Sequence, residues 1–342
     1  WGGGMEHQTM SFMHDNSEML VIHELAHQWF GDYITCGSWA DIWINEGFAT
    51  YCEGLYLEYT HGASEFRNWR ANEIAQITSQ TGGSVYCTDT ASVDAIFNGR
   101  LSYAKGGEVL HMLRKQIGDK AFFQGIKNYL NDPLLANHFA KTQDFKAHME
   151  VAADSTLTEF FNDWIYGQGY PKYKITWQTV DETAWVRIEQ TQSHPSVSFF
   201  EMKIPVRFSN TSKDTIVWFH NTQNNQLLNA NIRFNATQAE FDPNKEITTK
   251  YSSIAKGQLL SVGENSSGFV SVYPNPSVNG EVRINSEKEI KEIEVFTIVG
   301  NKVRSINTHG MLAEFNLPNG VYIVKVELID GNLETVKVVV KE

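Results

Sequence analysis

His23, Glu24 and His27 share one pentapeptide, H-E-L-A-H, and Glu46 follows after eighteen intervening residues, within N-E-G-F-A-T-Y. On a helix over residues 17–30, His23 and His27 are i,i+4 neighbours whose imidazoles converge on one point, and Glu24 projects beside that point. Two imidazoles are half a zinc site. Glu46 supplies a third ligand if a second helix, opening at W-I-N-E, packs against the first; the fourth position is then left for water, as catalytic zinc requires. The pentapeptide lies between Met19-Leu20-Val21-Ile22 and Trp29-Phe30, so its helix is expected to be buried. Buried ionisable groups need partners, and a metal ion is one.

The elements that must position these residues are legible in outline. Asp15, Asn16 or Ser17 can cap the first helix, and Gly31 with Asp32 can end it. The stretch Cys36 to Asp41 must fold back tightly between the two helices. Asp41 or Glu53 then serves either as an acceptor for a ligand imidazole or as a helix cap. Upstream, the glycines of W-G-G-G-M-E-H-Q-T suit a strand against which a substrate peptide adds itself, or equally a plain glycine-rich loop. Downstream, residues 64–80 read as helix and 81–99 as a turn-rich connection. S-Y-A-K-G-G-E-V-L-H-M-L-R-K-Q-I-G opens another helix, with Val109, Met112, Leu113 and Ile117 as its buried stripe and Gly118 as its stop. Tyr103 sits in its first turn, where a tyrosine is ordinarily a packing residue with a wet hydroxyl. Helices over 120–130, 143–152 and 157–165 follow, the last turning Phe160, Phe161 and Trp164 inward.

At Gly167-Gln168-Gly169-Tyr170-Pro171 the period changes. Y-K-I-T-W-Q, W-V-R-I-E-Q, M-K-I-P-V-R-F and T-I-V-W-F-H alternate at two and predict an antiparallel sandwich closing near F-D-P-N. A Ser-, Gly- and Asn-rich linker is expected over 252–267. V-Y-P-N-P-S-V-N-G-E-V-R-I, I-E-V-F-T-I-V-G and a hairpin turning at Asp330-Gly331 then predict a second, smaller β domain.

With 342 residues the chain has room for two or three domains. Its net charge of -12 argues against nucleic-acid and anionic-membrane binding, which need an excess of Lys and Arg. Cys36, Cys52 and Cys87 form no readable disulfide framework; free thiols are expected, with a Cys36–Cys52 or Cys52–Cys87 bridge the alternative. No stretch is long and apolar enough to span a bilayer. The sequence opens at Trp1 in what reads as mid-strand, and a preceding region is expected.

H-E-L-A-H with Glu46, preceded by G-G-M-E-H and followed by S-Y-A-K-G, resembles the M1 family of gluzincin aminopeptidases. The resemblance covers Trp1 to about Asp242. It implies a multidomain α plus β chain: a thermolysin-like, mainly helical catalytic domain over 1–169, truncated at its N-terminus, then a β-sandwich over 170–251. From about Tyr273, Y-P-N-P, V-F-T-I-V-G-N-K-V and N-L-P-N-G-V-Y-I-V-K-V resemble type A C-terminal sorting domains of the type IX secretion system. That implies a small immunoglobulin-like sandwich over 268–342, partnership with that secretion machinery, and passage through the periplasm to the outside or outer surface of a Gram-negative bacterium.

The M1 resemblance also implies roles. His23, His27 and Glu46 hold one zinc ion, Glu24 is the general base, and Tyr103 donates to the oxyanion. Gly3, Gly4, Met5 and Glu6 match the substrate-binding strand, Glu6 pairing with the free α-ammonium of a peptide. Gly4 and His7 stand where the family usually has Ala and Asn. The family's upstream β domain, which normally contributes an amine-binding side chain and part of the first side-chain pocket, and its large C-terminal helical domain are not represented in this sequence. The readings, in order, are a secreted zinc aminopeptidase; a related hydrolase of the epoxide-hydrolysing or thermolysin-like endopeptidase type; and a non-catalytic surface binding protein.

Overall fold

In the computed structural model, which describes residues 2–259, 269–298 and 300–341, the chain forms two compact units, residues 1–257 and 258–342. The first begins with a two-stranded hairpin, β1 (Gly4–Met5) and β2 (Phe12–Met13). Helix α1 (Glu18–Ala26) follows, with Ser17 at its N-cap. Its helical bonding stops earlier than the expected residue 30, because Gln28 N and Trp29 N bond carbonyls three residues back and tighten the last turn. Strand β3 (Ile34–Cys36) and a turn at Trp39–Asp41 lead into α2 (Trp43–Thr60). Every residue of α2 from Trp43 to Tyr51 is buried, so its polar members, Asn45, Glu46 and Thr50, sit inside the protein.

Helix α3 (Ala63–Ile77) packs beside α2. In the turn-rich connection lies one short helix, α4 (Val93–Ile96). Residues Gly99–Lys105 form a π-helical turn before α5 (Gly106–Ile117), so Tyr103 lies in a wider turn than the α-helix expected from sequence. Helix α6 (Asp119–Leu130), strand β4 (His138–Ala140, parallel to β3) and helix α7 (Thr142–Ala153) follow. The last helix expected, 157–165, is α8 (Thr158–Phe161) continued by a second π-helical turn, Asn162–Tyr166. Trp43, Phe48, Tyr51, Phe122, Phe145 and Trp164 fill the core between these helices. Trp43 Nε1 donates to Thr142 Oγ1 at 2.9 Å, which satisfies the indole N–H that burial would otherwise orphan.

Seven strands complete this unit: β5 (Pro171–Val180), β6 (Thr183–Gln192), β7 (Met202–Ser209), β8 (Asp214–Asn221), β9 (Gln226–Asn231), β10 (Gln238–Phe241) and β11 (Ser253–Lys256). They form two sheets, β10-β7-β8 and β11-β5-β6-β9. Ile175, Val186, Ile188, Ile204, Val206 and Phe208 alternate inward to the core. Two expectations are corrected here. The sandwich is not wholly antiparallel, since β11 runs parallel to β5. Residues 253–256 belong to the sandwich rather than to a linker: Ser252 Oγ accepts from Tyr173 N at 2.9 Å and Ile254 packs against the core. Residues 260–267 of the expected linker lie outside the described residues.

The second unit holds β12 (Val270–Tyr273), β13 (Ser277–Val278), β14 (Glu281–Thr297), β15 (Lys302–Asn316), β16 (Gly320–Leu328) and β17 (Leu333–Lys341). They pair in the order β12-β14-β16-β17-β13, with β15 also paired to β14. Long β14 passes from β12 to β16 through register shifts between Asn285 and Glu292. Its own core includes Ile284, Ile293, Val295, Val324, Val326 and Val338. The β16–β17 hairpin turns at Asp330-Gly331, with Gly331 at φ 84°, a region that glycine enters without steric cost. Among the described residues no helix is long and apolar enough to cross a membrane. Cys36, Cys52 and Cys87 are free thiols.

Candidate metal centre and active site

Helix α1 presents His23 and His27, and α2 presents Glu46 from its first turn. Among the described residues these three form the one group of His, Cys, Asp or Glu poised to share a metal ion, their ligand atoms lying within 4.8 Å of one another. Glu46 Oε2 is 3.4 Å from His23 Nε2 and 3.3 Å from His27 Nε2. Ligands at ordinary Zn–N and Zn–O lengths in a tetrahedron stand about 3.3 Å apart, so these separations fit the edges of a zinc site.

The far side of each imidazole is fixed as such a site needs. His23 Nδ1 lies 2.8 Å from Glu53 Oε1, and His27 Nδ1 lies 2.9 Å from the carbonyl oxygen of Phe30. Both acceptors hold a proton on Nδ1 and turn Nε2 toward Glu46. Electrostatics agree with a cation between them. Burial disfavours charge on His23, yet hydrogen bonds to Glu46 and Glu53 outweigh it and raise its pKa to about 10. Burial opposes the charge on Glu46 as well, but the two imidazoles hold it down at about 2. A metal ion displaces the histidine proton and meets the same demand for positive charge.

Of the two carboxylates open to a supporting role, Glu53 takes it. Asp41 instead accepts from Thr142 N at 3.0 Å and Thr142 Oγ1 at 2.8 Å, tying the start of α7 to the turn before α2.

A cavity of about 1290 Å3 is lined by this triad together with Glu24, Tyr103, strand β1 (Gly4 and Met5) and its flanking residues Gly3 and Glu6. Glu24 is 4% exposed, and its Oε2 has no hydrogen-bond partner. Burial raises its pKa above the usual carboxylate range, against the lowering effect of His23 and His27. Its carboxyl is thereby better suited to accept a proton. The Tyr103 ring stacks on His23, centroids 5.8 Å apart and planes 13° from parallel. Burial, then the charge and hydrogen bonding of Glu46, raise the phenol's pKa, so the hydroxyl keeps its proton and can donate.

Gly4 lies directly against Glu24, and a Cβ there would overlap Glu24 Oε1. Gln28 holds the Glu6 strand to the end of α1: its Nε2 donates to Glu6 O at 3.0 Å and to Asp32 Oδ2 at 2.8 Å. Sequence reasoning missed Gln28, although a polar residue directly after His27 was a visible signal. It also missed the Phe30 carbonyl, a backbone group with no signal in residue type. Trp39 and Phe97, in edge contact at 6.0 Å, form a further wall of the cavity for which spacing gave no signal.

Residues 5–164 match the peptidase family M1 domain, and residues 271–341 match the secretion system C-terminal sorting domain. The chain carries a peptidase M1 domain and a C-terminal sorting domain. The M1 domain is similar to aminopeptidase N of Lactobacillus delbrueckii subsp. lactis, 34% identical over 44% of this chain and 19% of that protein. A glutamyl aminopeptidase of Sus scrofa is 29% identical over 60% of this chain and 22% of its own length. The fold is similar to that in the crystal structure of Legionella pneumophila aminopeptidase A in complex with aspartic acid: TM-score 0.53, 17% identity, 69% of this chain and 27% of that one. The chain spans between 19% and 23% of the length of the curated relatives it matches. These similarities support a peptidase with an aminopeptidase-like fold of mixed helices and sheets.

Proposed function

We propose that the chain is the zinc-binding part of a secreted aminopeptidase that removes N-terminal residues from peptides. The observation that carries this reading is the meeting of His23, His27 and Glu46 at tetrahedral-edge distances, in a cavity that Glu24, Tyr103 and Glu6 also line. The donor set, two neutral imidazoles and a carboxylate, is that of a catalytic zinc site with an open position. When bound, zinc supplies Lewis acidity, acidifying water and polarising a carbonyl.

This chain's own residues supply the rest. Glu24, with a raised pKa and a free carboxylate oxygen, takes the proton of the attacking water and passes one to the leaving nitrogen. Tyr103, protonated beside His23, donates to the oxygen that gains charge as the peptide carbon becomes tetrahedral. Glu6 pairs with the substrate's α-ammonium, and that pairing places the first peptide bond at the reacting centre. An endopeptidase substrate offers no ammonium for it. Residues 1–169 form the thermolysin-like domain and 170–251 the sandwich that supports it. Residues 268–342, a small immunoglobulin-like sandwich, direct type IX export to the cell surface or the medium.

The test is hydrolysis of aminoacyl chromophores by the full-length natural protein over a panel of N-terminal residues. Activity should stop with a chelator and return with zinc; hydrolysis that survives complete metal removal overturns the mechanism. Removing residues 268–342 should spare activity and leave the protein in the periplasm, and efficient export of the shortened chain overturns the sorting assignment.

A further inference from the structure

The π-helical turn that carries Tyr103 is held from behind by two basic side chains, Arg100 and Lys105. Tyr103 and Lys105 are two residues apart, so their side chains leave the turn on opposite sides. Tyr103 lines the cavity, whereas Lys105 is 1% exposed and donates from Nζ to Gly83 O at 3.0 Å. Arg100, at the other end of the turn, donates from Nη1 to Gly82 O at 2.9 Å and Ile77 O at 3.3 Å. Three carbonyls of residues 77–83, the last residue of α3 and the loop after it, therefore hold a single turn. Gly83, at φ 98°, is pressed so closely on Arg100 that a Cβ would stand 2.7 Å from its Nη2.

The opposite side of this loop is fixed by the sandwich. Tyr170 Oη and Lys250 Nζ donate to Thr78 O at 3.3 and 3.0 Å, Ser193 Oγ donates to Thr81 O at 2.7 Å, and Gly83 N donates to Gln168 Oε1 at 3.0 Å. An unbroken hydrogen-bonded path thus runs from the sandwich through the loop to the turn.

We propose that Arg100 and Lys105 are positioning residues for Tyr103, and that through the 77–83 loop they make the β-sandwich a part of the oxyanion-stabilising apparatus. Two features support the assignment. A π-helical turn is rare, and where one leads into an α-helix, as Gly99–Lys105 leads into α5, it frequently marks a functional site. A buried ammonium is costly unless paired, and among the described residues Lys105 has no carboxylate within ion-pair distance; burial, with Arg100 second, pushes its pKa down to about 7. Its contact with Gly83 O is best explained by the geometry it imposes on the turn.

This inference rests on the aminopeptidase reading of the site. The experiment compares the parent with Lys105→Met and with Arg100→Gln, a milder change at the half-buried end of the clamp. It measures kcat, KM, bound zinc and affinity for a phosphinic peptide that mimics the tetrahedral state. The expected result in either variant is a fall in kcat of tenfold or more, with KM and zinc content within twofold of the parent, and phosphinate affinity reduced in step with kcat/KM. A folded variant with parental kcat, or one whose kcat falls only as zinc is lost, overturns the proposal. Should Lys105→Met fail to fold, Arg100→Gln decides by the same criteria. A second readout does not need turnover: 3-fluorotyrosine at position 103 should change its 19F shift in the variants. A parent that hydrolyses no aminoacyl substrate, with that shift still moving, overturns the aminopeptidase reading and leaves the positioning role standing. An unmoved resonance overturns the positioning role.

Discussion

Gly47 and Gly106 touch backbone to backbone: a Cβ on Gly47 would stand 2.9 Å from Gly106 Cα, and one on Gly106 would stand 3.0 Å from Gly47 Cα. Glu46 immediately precedes the first glycine, and the turn bearing Tyr103 immediately precedes the second. The crossing of α2 and α5 at this point sets the distance between the carboxylate of the metal triad and the phenol above it. Gly47→Ala should push the helices apart, destabilising the fold by about 1–3 kcal/mol as overpacking does. Zinc affinity and kcat should fall together. Thermal unfolding and metal analysis check this, and parental values for both would mean that the helices separate freely.

Glu53 holds the His23 ligand from behind, its Oε1 2.8 Å from His23 Nδ1. Glu53→Gln should weaken zinc affinity by roughly 10–100-fold, the usual cost of losing a carboxylate behind a ligand imidazole. Competition with a chromogenic chelator measures it. Asp41→Asn, a change at the carboxylate that ties Thr142, should leave zinc affinity unchanged while lowering stability.

Glu24 and Tyr103 are assigned chemistry rather than metal binding. Glu24→Gln should keep full zinc and lose nearly all turnover; loss of zinc would show that Glu24 is misassigned. Tyr103→Phe should raise the barrier by about 3 kcal/mol, roughly a hundredfold or more in kcat, as removal of an oxyanion donor does. Rapid-quench kinetics would separate this loss of chemistry from slow product release.

Gly4 gives the Glu24 carboxylate the space it occupies. Gly4→Ala forces that flexible side chain to move while leaving the hairpin intact. The expected outcome is a kcat reduced severalfold, with zinc content and melting temperature unchanged. An unaltered kcat would mean that the carboxylate tolerates displacement.

Away from the metal site, Arg70 and His111 converge on Glu246, with Arg70 Nη1 at 2.5 Å and His111 Nε2 at 2.6 Å from its Oε2. Burial works against the Glu246 charge, but the hydrogen bond from His111 and the positive charge of Arg70 lower its pKa to about 2. Burial, beyond what Glu246 restores, lowers His111 to about 3. Both groups have depressed values in the folded chain, so the stability they contribute is present above their unfolded pKa values and is lost on acidification. For His111 that loss runs from about pH 6.5 to 3, and for Glu246 from about 4.5 to 2. Denaturant unfolding across this range should show a steep acid decline, and Glu246→Gln should flatten its lower part.

The sequence determined what depends on local period. An i,i+4 spacing is enough to put His23 and His27 on one face, alternation at two is enough to expose the strands from 171 onward, and Asp330-Gly331 is enough to mark a hairpin. Tertiary structure decided what depends on neighbours distant in the chain. Glu53 rather than Asp41 backs His23 because α2 brings residue 53, two turns beyond Glu46, beside α1, while Thr142 claims Asp41. Ser253–Lys256 becomes a parallel edge strand because β5 offers it an unpaired edge, although its composition reads as linker. The turn at Tyr103 is π-helical, where local propensity favours an α-helix, because Arg100 and Lys105 grip a loop some twenty residues earlier in the chain. Residue types and their spacing name the groups that can do chemistry; which of them meet, and at what distance, is set by packing between segments whose separation carries no sequence signal.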